Sequence, residues 1–161
     1  MVGLMLVPLG CGGGAKHVVS SHAVRVVVPS GWVLVPPASP GPVTDPRTLL
    51  VVGTAGVHPK SSGCQSQIAA YRIPAAGAVV VVVGWKSVAS AGGVPKPGRA
   101  PLTKLVAVRR PSFECFDGRG AAASLLLGRK PYQVNVLVGN EATKEGVAEA
   151  LAVARSFARN R

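Results

Sequence analysis

The chain has 161 residues, of which 18 are Lys or Arg and 6 are Asp or Glu, so its formal net charge is +12. This length fits one domain, and a hydrophobic content of 48% excludes a disordered polymer. No apolar run reaches the roughly 20 residues that a bilayer-spanning helix needs, which argues against a polytopic membrane protein. The excess of basic residues favours contact with anionic polymers or lipid headgroups.

An apolar segment followed by a cysteine opens the chain. Residues 1–10 are uncharged, Gly10 is small, Cys11 follows it, and residues 12–14 are glycines. This order resembles a bacterial lipoprotein signal, in which a peptidase cuts before the cysteine and the sulfur carries a diacylglycerol. Pro8 stands where leucine is usual, and a start further upstream would account for the short length and the missing basic residue. The resemblance implies lipidation of Cys11, with a frayed apolar N-terminus or an edge strand as the alternative.

The rest of the chain predicts one domain built mainly from strands. We expect a signal segment over residues 1–10, a lipidation site and flexible tether over 11–21, and a single domain over 22–161. Strands are predicted, in chain order, over residues 22–28, 32–35, 48–53, 78–83 and 102–108. The five consecutive valines at positions 79–83 indicate a central strand, because β-branched side chains favour that environment.

Gly- and Pro-rich stretches separate these strands. Residues 36–42 contain four prolines, which lack the backbone donor that a sheet needs, and are predicted to be a loop. Residues 54–64 and 86–101 are predicted to be loops as well, and residues 65–71 fit either a short helix or a bend.

The end of the chain predicts a hairpin followed by a helix. Residues 121–127 and 132–138 form the two strands, joined by a four-residue turn, and the second strand alternates so that one face is dry. Asn140 is the expected helix cap, and basic residues fall late in the helix, where its dipole favours them. Those basic residues are Arg155, Arg159 and Arg161. An apolar stripe at helical spacing is expected to pack on the sheet and consists of Val147, Ala150, Leu151, Ala154 and Phe157. Strands in series before one helix predict an α+β fold, with a mainly antiparallel, valine-rich sheet and a C-terminal helix packed on it.

Two further cysteines, Cys64 and Cys115, remain as a pair if Cys11 is lipidated. An oxidising compartment permits a disulfide between them. Closing the loop between positions 64 and 115 would stabilise the fold by roughly 4 kcal/mol in the chain-entropy model. There are three alternatives. The two thiols could be free, Cys64 could be a nucleophile paired with His58, or Cys64, Cys115 and His58 could together bind a metal. No acid or Asn lies near His58 to orient it, and no metal-ligand spacing is present, so the disulfide is our prediction.

Basic residues concentrate between positions 96 and 130. They are Lys96, Arg99, Lys104, Arg109, Arg110, Arg119, Arg129 and Lys130. Phe113 and Phe116 interleave with them, as in some nucleic-acid-binding surfaces, but no RRM, KH or helix-turn-helix signature accompanies the segment. We expect this basic patch to hold the domain close to anionic envelope polymers or lipid headgroups, with a nucleic-acid-binding role as the alternative.

The sequence lacks the motifs of common catalytic sites. It has no Gly-x-Ser-x-Gly elbow, and the glycines before Lys16 lack the spacing of a phosphate-binding loop. Glu114 and Asp117 flank Cys115 and are expected to balance local charge. We therefore expect no enzymatic activity, no cofactor and no metal, with a small enzyme that uses Cys64 and His58 as the alternative.

Several short motifs together resemble small actinobacterial cell-envelope lipoproteins. They are Gly10-Cys11-Gly12-Gly13, Val28-Pro29-Ser30-Gly31-Trp32, the mid-chain Cys64, and the strand between Gly128 and Gly139 before a terminal helix. The resemblance implies an extracytoplasmic, lipid-anchored binding or scaffolding domain of the cell membrane, without a catalytic residue. Its expected partners are the membrane surface, through the anchor, and an anionic envelope polymer or a protein. By analogy it implies a PsbP/Mog1-like fold, in which a helix packs on an antiparallel sheet.

Overall fold

A computed structural model describes residues 14–38, 44–60, 68–91, 96–97 and 118–160. Within these ranges the chain forms eleven strands and one helix. The strands are β1 (Lys16–Ser21), β2 (Val24–Pro29), β3 (Trp32–Leu34), β4 (Arg47–Thr54), β5 (His58–Pro59), β6 (Tyr71–Arg72), β7 (Ala78–Gly84), β8 (Lys96–Pro97), β9 (Arg119–Leu127), β10 (Lys130–Val138) and β11 (Ala158–Arg159). The helix α1 (Lys144–Arg155) lies between β10 and β11. Among the described residues, no helix has the length and apolarity needed to cross a bilayer.

The largest sheet has six strands in the order β3-β4-β7-β10-β9-β8. Neighbouring strands are antiparallel except for the two-residue parallel contact between β8 and β9. The valine run forms β7 in the centre of this sheet, as predicted, and all seven of its residues are buried. Its side chains alternate between two cores, with Val80 and Val82 on one face and Val79, Val81 and Val83 on the other. Because both faces are covered, the strand is continuously apolar instead of alternating.

The first core lies between this sheet, α1 and β2. The predicted stripe of α1 does face the sheet, and Ala150, Leu151 and Ala154 are buried there. Phe157, just after the helix, is fully buried, and its ring centroid lies 5.4 Å from that of Tyr132. Two further side chains connect this core to the helix surface, since Trp32 Nε1 donates to Glu149 Oε1 at 2.6 Å.

The second core covers the opposite face of the six-stranded sheet. Short connections bring Val35, Ala38, Val57, Ala70 and Tyr71 onto the odd-numbered valines of β7. The phenol oxygen of Tyr71 accepts a hydrogen bond from the backbone nitrogen of Ala38 at 3.0 Å. Burial raises the pKa of this phenol above its ordinary value, and the hydrogen bond from Ala38 opposes that shift more weakly. The neutral phenol therefore joins two connections inside an apolar layer.

A separate three-stranded sheet joins the two ends of the described chain, in the order β1-β2-β11. β2 points Val24, Val26 and Val28 into the first core, and β11 pairs with it after α1. The Ser156 hydroxyl extends this pairing, because Val27 donates its backbone N–H to Ser156 Oγ at 2.7 Å. The C-terminal strand thus returns to the N-terminal hairpin.

The strands predicted at 32–35 and 48–53 are confirmed as β3 and β4. The strand predicted at 22–28 begins two residues later, because His22 and Ala23 form the turn between β1 and β2. The prediction of a flexible tether is wrong from Lys16 onward. Residues 16–21 form β1, which is exposed along most of its length and so shows no alternating apolar pattern. The strand predicted at 102–108 lies outside the described residues.

The predicted four-residue turn between β9 and β10 is wrong. The strands pair up to Leu127 and Lys130, so the turn has two residues, and Gly128 has a φ of +64°. A positive φ at this position matches the turns that two-residue hairpins favour.

The second face of β10 is also covered, because Asn135 is fully buried there and its Nδ2 donates to the Val81 carbonyl at 3.2 Å.

The helix begins and ends differently from the prediction. Thr143 is the N-cap, with its Oγ1 accepting from Gly146 N at 3.1 Å, so the expected cap at Asn140 is wrong. Before the helix, the chain passes close to the carbonyls of Pro74 and Ala75, and a Cβ on Gly139 would collide with both. Arg159 lies in β11 and not in the last turn of the helix. The antiparallel sheets and this C-terminal helix nevertheless give the predicted α+β class.

Candidate functional site

A cavity of about 290 Å³ opens where one end of the six-stranded sheet meets the N-terminal hairpin. Arg47, Gly84 and Tyr132 lie side by side across β4, β7 and β10 at this end of the sheet. The β1–β2 turn contributes His22 and Ala23 to the opposite wall. We call this cavity the cationic cleft, because Lys and Arg residues line it.

Four cationic side chains line the cleft, together with a single carboxylate. The cations are Arg47, Lys86, Lys130 and Arg159, and the carboxylate is Asp45. Asp45 Oδ1 accepts from the backbone nitrogen of Lys86 at 3.2 Å. The cations come from four separate parts of the chain, so they meet only in the folded protein. The cleft has an excess of three positive charges, which favours an anionic ligand.

The hydrogen-bond partners of His22 assign a role to each of its ring nitrogens. Its Nδ1 lies 3.0 Å from the Leu49 carbonyl, and its Nε2 lies 3.1 Å from Arg47 Nη2. A carbonyl oxygen only accepts and a guanidinium only donates, so Nδ1 carries the proton and Nε2 accepts. Through this pair of hydrogen bonds His22 orients the Arg47 guanidinium at the cleft.

Ser21 and His22 also resemble the start of a nucleophilic site, because Ser21 Oγ lies 2.8 Å from His22 Nδ1. A general base must accept the hydroxyl proton through that nitrogen. The tautomer set by Leu49 and Arg47 has Nδ1 protonated, so it cannot do so. The geometry thus assigns this pair to positioning.

The β1–β2 turn holds both of its residues in an unusual backbone conformation. His22 has a φ of +46° and Ala23 a φ of +63°. Positive φ at both positions is what a two-residue turn of this type requires, and it is normally supplied by Asn or Gly. A residue other than glycine held there costs on the order of 1 kcal/mol or more. In return, the turn presents the His22 ring to Arg47.

Leu49 forms the apolar wall of the cleft and is placed by a β-bulge in β4. Thr48 pairs with Val83 and Leu50 with Val82, so Leu49 is left without a partner on β7. A bulge of this kind redirects a side chain and frees its backbone groups from the ladder. The freed carbonyl is the one bonded to His22. Gly84 makes room for the side chain, because a Cβ there would come within 2.8 Å of Leu49 Cδ1.

A second, smaller cavity of about 170 Å³ lies next to the cleft and shares His22 and Leu49 with it. Its other lining residues are Ser21, Leu34, Val35, Pro36, Pro37, Thr48, Leu50 and Val51. None of these residues, all within the described ranges, carries a formal charge. We call this second cavity the apolar cavity.

The structure places Arg119 apart from the other described members of the predicted basic patch. Lys130 lines the cleft, and Arg129 precedes it in the turn. Arg119 lies at the other end of β9, roughly 27 Å away along the strand, where it donates to the Ala142 carbonyl at 2.8 Å. The backbone of Lys96 pairs with β9 in β8. Arg99, Lys104, Arg109 and Arg110 lie outside the described residues.

The predicted cysteine sites also lie outside the described residues, namely Cys11, Cys64 and Cys115. The lipidation and the disulfide therefore stay predictions. His58, the suggested partner of Cys64, is exposed on β5, with Nδ1 3.0 Å from the Pro59 carbonyl. Within the described ranges, no group of three or more His, Cys, Asp or Glu side chains is arranged to hold a metal.

Sequence reasoning missed four residues of the cleft, which are His22, Arg47, Lys86 and Arg159. Each is an ordinary basic or polar residue in its own segment, without a local motif. Only the strand register and the return of β11 to β2 bring them together. Comparison of the chain with protein-family models, curated proteins and solved structures found no match.

Proposed function

We propose that this protein is a binding domain, without catalytic activity, that holds a small organic anion in the cationic cleft. We further propose that the domain acts on the outer face of the cell membrane, anchored by a lipid on Cys11. The observation that carries the ligand class is the excess of cationic over acidic residues around the cationic cleft, whose other lining is mostly apolar. Sites for small molecules combine an apolar lining with a few placed polar groups in this way.

Arg47 is the group best placed to bind the anion. His22 Nε2 accepts from Arg47 Nη2, and this hydrogen bond holds the planar guanidinium in one orientation. Its remaining N–H groups are then the donors that could bind an anion. A planar guanidinium can donate two parallel hydrogen bonds to a carboxylate or phosphate. Lys86, Lys130 and Arg159 add positive charge around it. The same charges would attract an anionic envelope polymer to the rim of the cleft.

Binding of a short carboxylate tests the ligand class. We expect butanoate to bind the wild-type protein, and Arg47→Gln to weaken that binding by about tenfold or more, because one charge-assisted hydrogen bond contributes roughly 1.5–3 kcal/mol. Arg72→Gln is the matched control, since Arg72 is exposed on β6 and does not line the cleft. Titration calorimetry at low ionic strength measures both. Equal affinity in the two variants, or no binding to the wild type, would rule out the proposed site.

The short connection between Cys11 and β1 supports attachment close to the membrane. Lys16 begins β1, and the five intervening steps of extended chain reach at most about 18 Å. An anchored domain would therefore keep the Lys16 end of β1 close to the lipid surface, and basic side chains that reach this surface would add to the attachment. One lipid signal combined with basic charge binds more stably than either does alone.

Membrane fractionation of wild type and Cys11→Ser tests the anchor. We expect the wild-type protein in the membrane fraction, with processing that globomycin blocks, and the serine variant in the soluble fraction. A serine variant that stays with the membrane would disprove lipid anchoring through Cys11, without bearing on the proposal for the cleft.

The likeness to a PsbP/Mog1-like fold stays part of this proposal and is supported by the helix packed on an antiparallel sheet.

A further inference from the structure

The two cavities lie on either side of one shared wall and differ in character. His22 and Leu49 line both. The cleft beyond them on one side has four cationic side chains, whereas the apolar cavity on the other side has none. β4 crosses from one to the other, with Arg47 in the cleft and Val51 in the apolar cavity. Charge and apolar surface are thus arranged along one strand.

We propose that the ligand is a free amphipathic anion with an apolar chain, not a lipid held in a bilayer. Its anionic head lies at Arg47 in the cleft, and its chain lies over the outer side of His22 and Leu49 and enters the apolar cavity beyond them. This inference rests on the proposed function and specifies the ligand of the same site.

The sizes of the cavities favour a ligand that occupies both. The cleft, at about 290 Å³, lies at the small end of the range for ligand sites, and the apolar cavity is smaller still. A cavity lined mainly by apolar side chains and without formal charge favours an apolar group over a charged one. Each methylene that leaves water for such a cavity strengthens binding by about fourfold.

Leu34 gives a way to test for an apolar chain in the apolar cavity. It lines the apolar cavity, yet 55% of its surface is exposed. Its neighbour Val33 is 49% exposed and does not line either cavity. A chain in the apolar cavity would cover Leu34, whereas Val33 would stay exposed. This pair of residues supplies a matched test, because both lie on the same short edge strand.

The test is a titration with butanoate, hexanoate, octanoate and decanoate, each below its aggregation concentration. We expect the affinity of the wild-type protein to rise about fourfold per methylene until the apolar cavity is filled. Leu34→Gln should weaken decanoate binding about fivefold and leave butanoate binding unchanged, and Val33→Gln should change neither. Decanol, which has the chain without the charge, should bind at least tenfold more weakly than decanoate.

The outcomes separate this inference from the function on which it rests. If butanoate and decanoate bind with equal affinity and both depend on Arg47, the cleft binds anions but the two-cavity ligand is wrong. If none of the carboxylates binds, both proposals fail. Vesicles of phosphatidylglycerol, compared with vesicles of phosphatidylcholine, separate a free amphiphile from a bilayer lipid. Binding to the anionic vesicles without binding to dissolved decanoate would overturn the proposal of a free amphiphile.

Discussion

At the scale of single residues, polar groups in this protein act by linking segments that are far apart in the sequence. His22 joins the N-terminal hairpin to β4, Tyr71 joins two connections over the second core, and Ser156 joins the end of α1 to β2. Each of these groups is satisfied by a backbone partner. Removal of such a group leaves a backbone donor or acceptor without its partner, which costs about 1–3 kcal/mol where the site is buried.

Tyr71 gives the protein a predicted dependence of stability on alkaline pH. Burial raises the pKa of its phenol in the folded state, so the unfolded chain loses this proton at a lower pH than the folded chain does. The stabilisation is therefore complete below the ordinary pKa of tyrosine, about 10, and is lost as the pH rises through the folded value. We expect Tyr71→Phe to cost about 1 kcal/mol at pH 8, because Ala38 N loses its acceptor.

Urea unfolding at pH 8 and at pH 10.5 measures this prediction. The wild-type protein should lose more free energy of unfolding between the two pH values than Tyr71→Phe does, since other groups that titrate there are common to both. An equal loss in the two proteins would contradict a buried, neutral phenol at this position.

At the scale of secondary-structure elements, α1 and the strand that follows it fix the first core. Phe157 is fully buried where α1 ends, and its ring contacts that of Tyr132 on β10. We expect Phe157→Ala to lower the free energy of unfolding by about 3–5 kcal/mol, because the cavity left among β10, β2 and α1 cannot close completely. Thermal and urea unfolding measure the change.

The control for this substitution is Val33→Ala, which also shortens an apolar side chain but does so at an exposed position on β3. Its effect should stay within about 0.5 kcal/mol. Similar losses in the two variants would show that Phe157 does not pack as described, and that the C-terminal segment is not part of the core.

The elements that the sequence predicts well are those whose environment is uniform along the strand or helix. The valine run of β7 and the stripe of α1 are examples, because burial on both faces or on one helical face leaves a clear apolar pattern. β1 was missed for the opposite reason. Its side chains are mostly exposed, and it exists because its backbone pairs with β2 along all six residues. Strand pairing of this kind has no signature in the strand itself.

At the scale of the whole molecule, the return of the chain to its own N-terminal hairpin creates the candidate site. β11 pairs with β2 only after α1 has crossed the sheet, and this places Arg159 at the same cavity as Arg47 of β4. The two arginines are more than a hundred positions apart, so no local pattern predicts that they meet. Extended β9 likewise separates Arg119 from Lys130, two described members of the predicted basic patch.

Lipid anchoring through Cys11 would hold the Lys16 end of β1 within about 18 Å of the lipid surface. The cleft lies at the other end of β1, roughly 20 Å further along the strand, because the β1–β2 turn lines it. The predicted Cys64–Cys115 disulfide would act on a different part of the chain, and a linked peptide in a non-reduced digest would identify it.

We propose that the cleft and the apolar cavity together hold an anionic amphiphile. Two-dimensional ¹H–¹⁵N NMR during a titration with octanoate measures this residue by residue, because each backbone amide reports on its own surroundings. We expect the largest shifts at Arg47, Leu49 and Gly84, with smaller ones at Leu34 and Val35, and we expect Arg47→Gln to remove them. Shifts that centre on other residues such as Arg72, or that survive the Arg47 substitution, would contradict it.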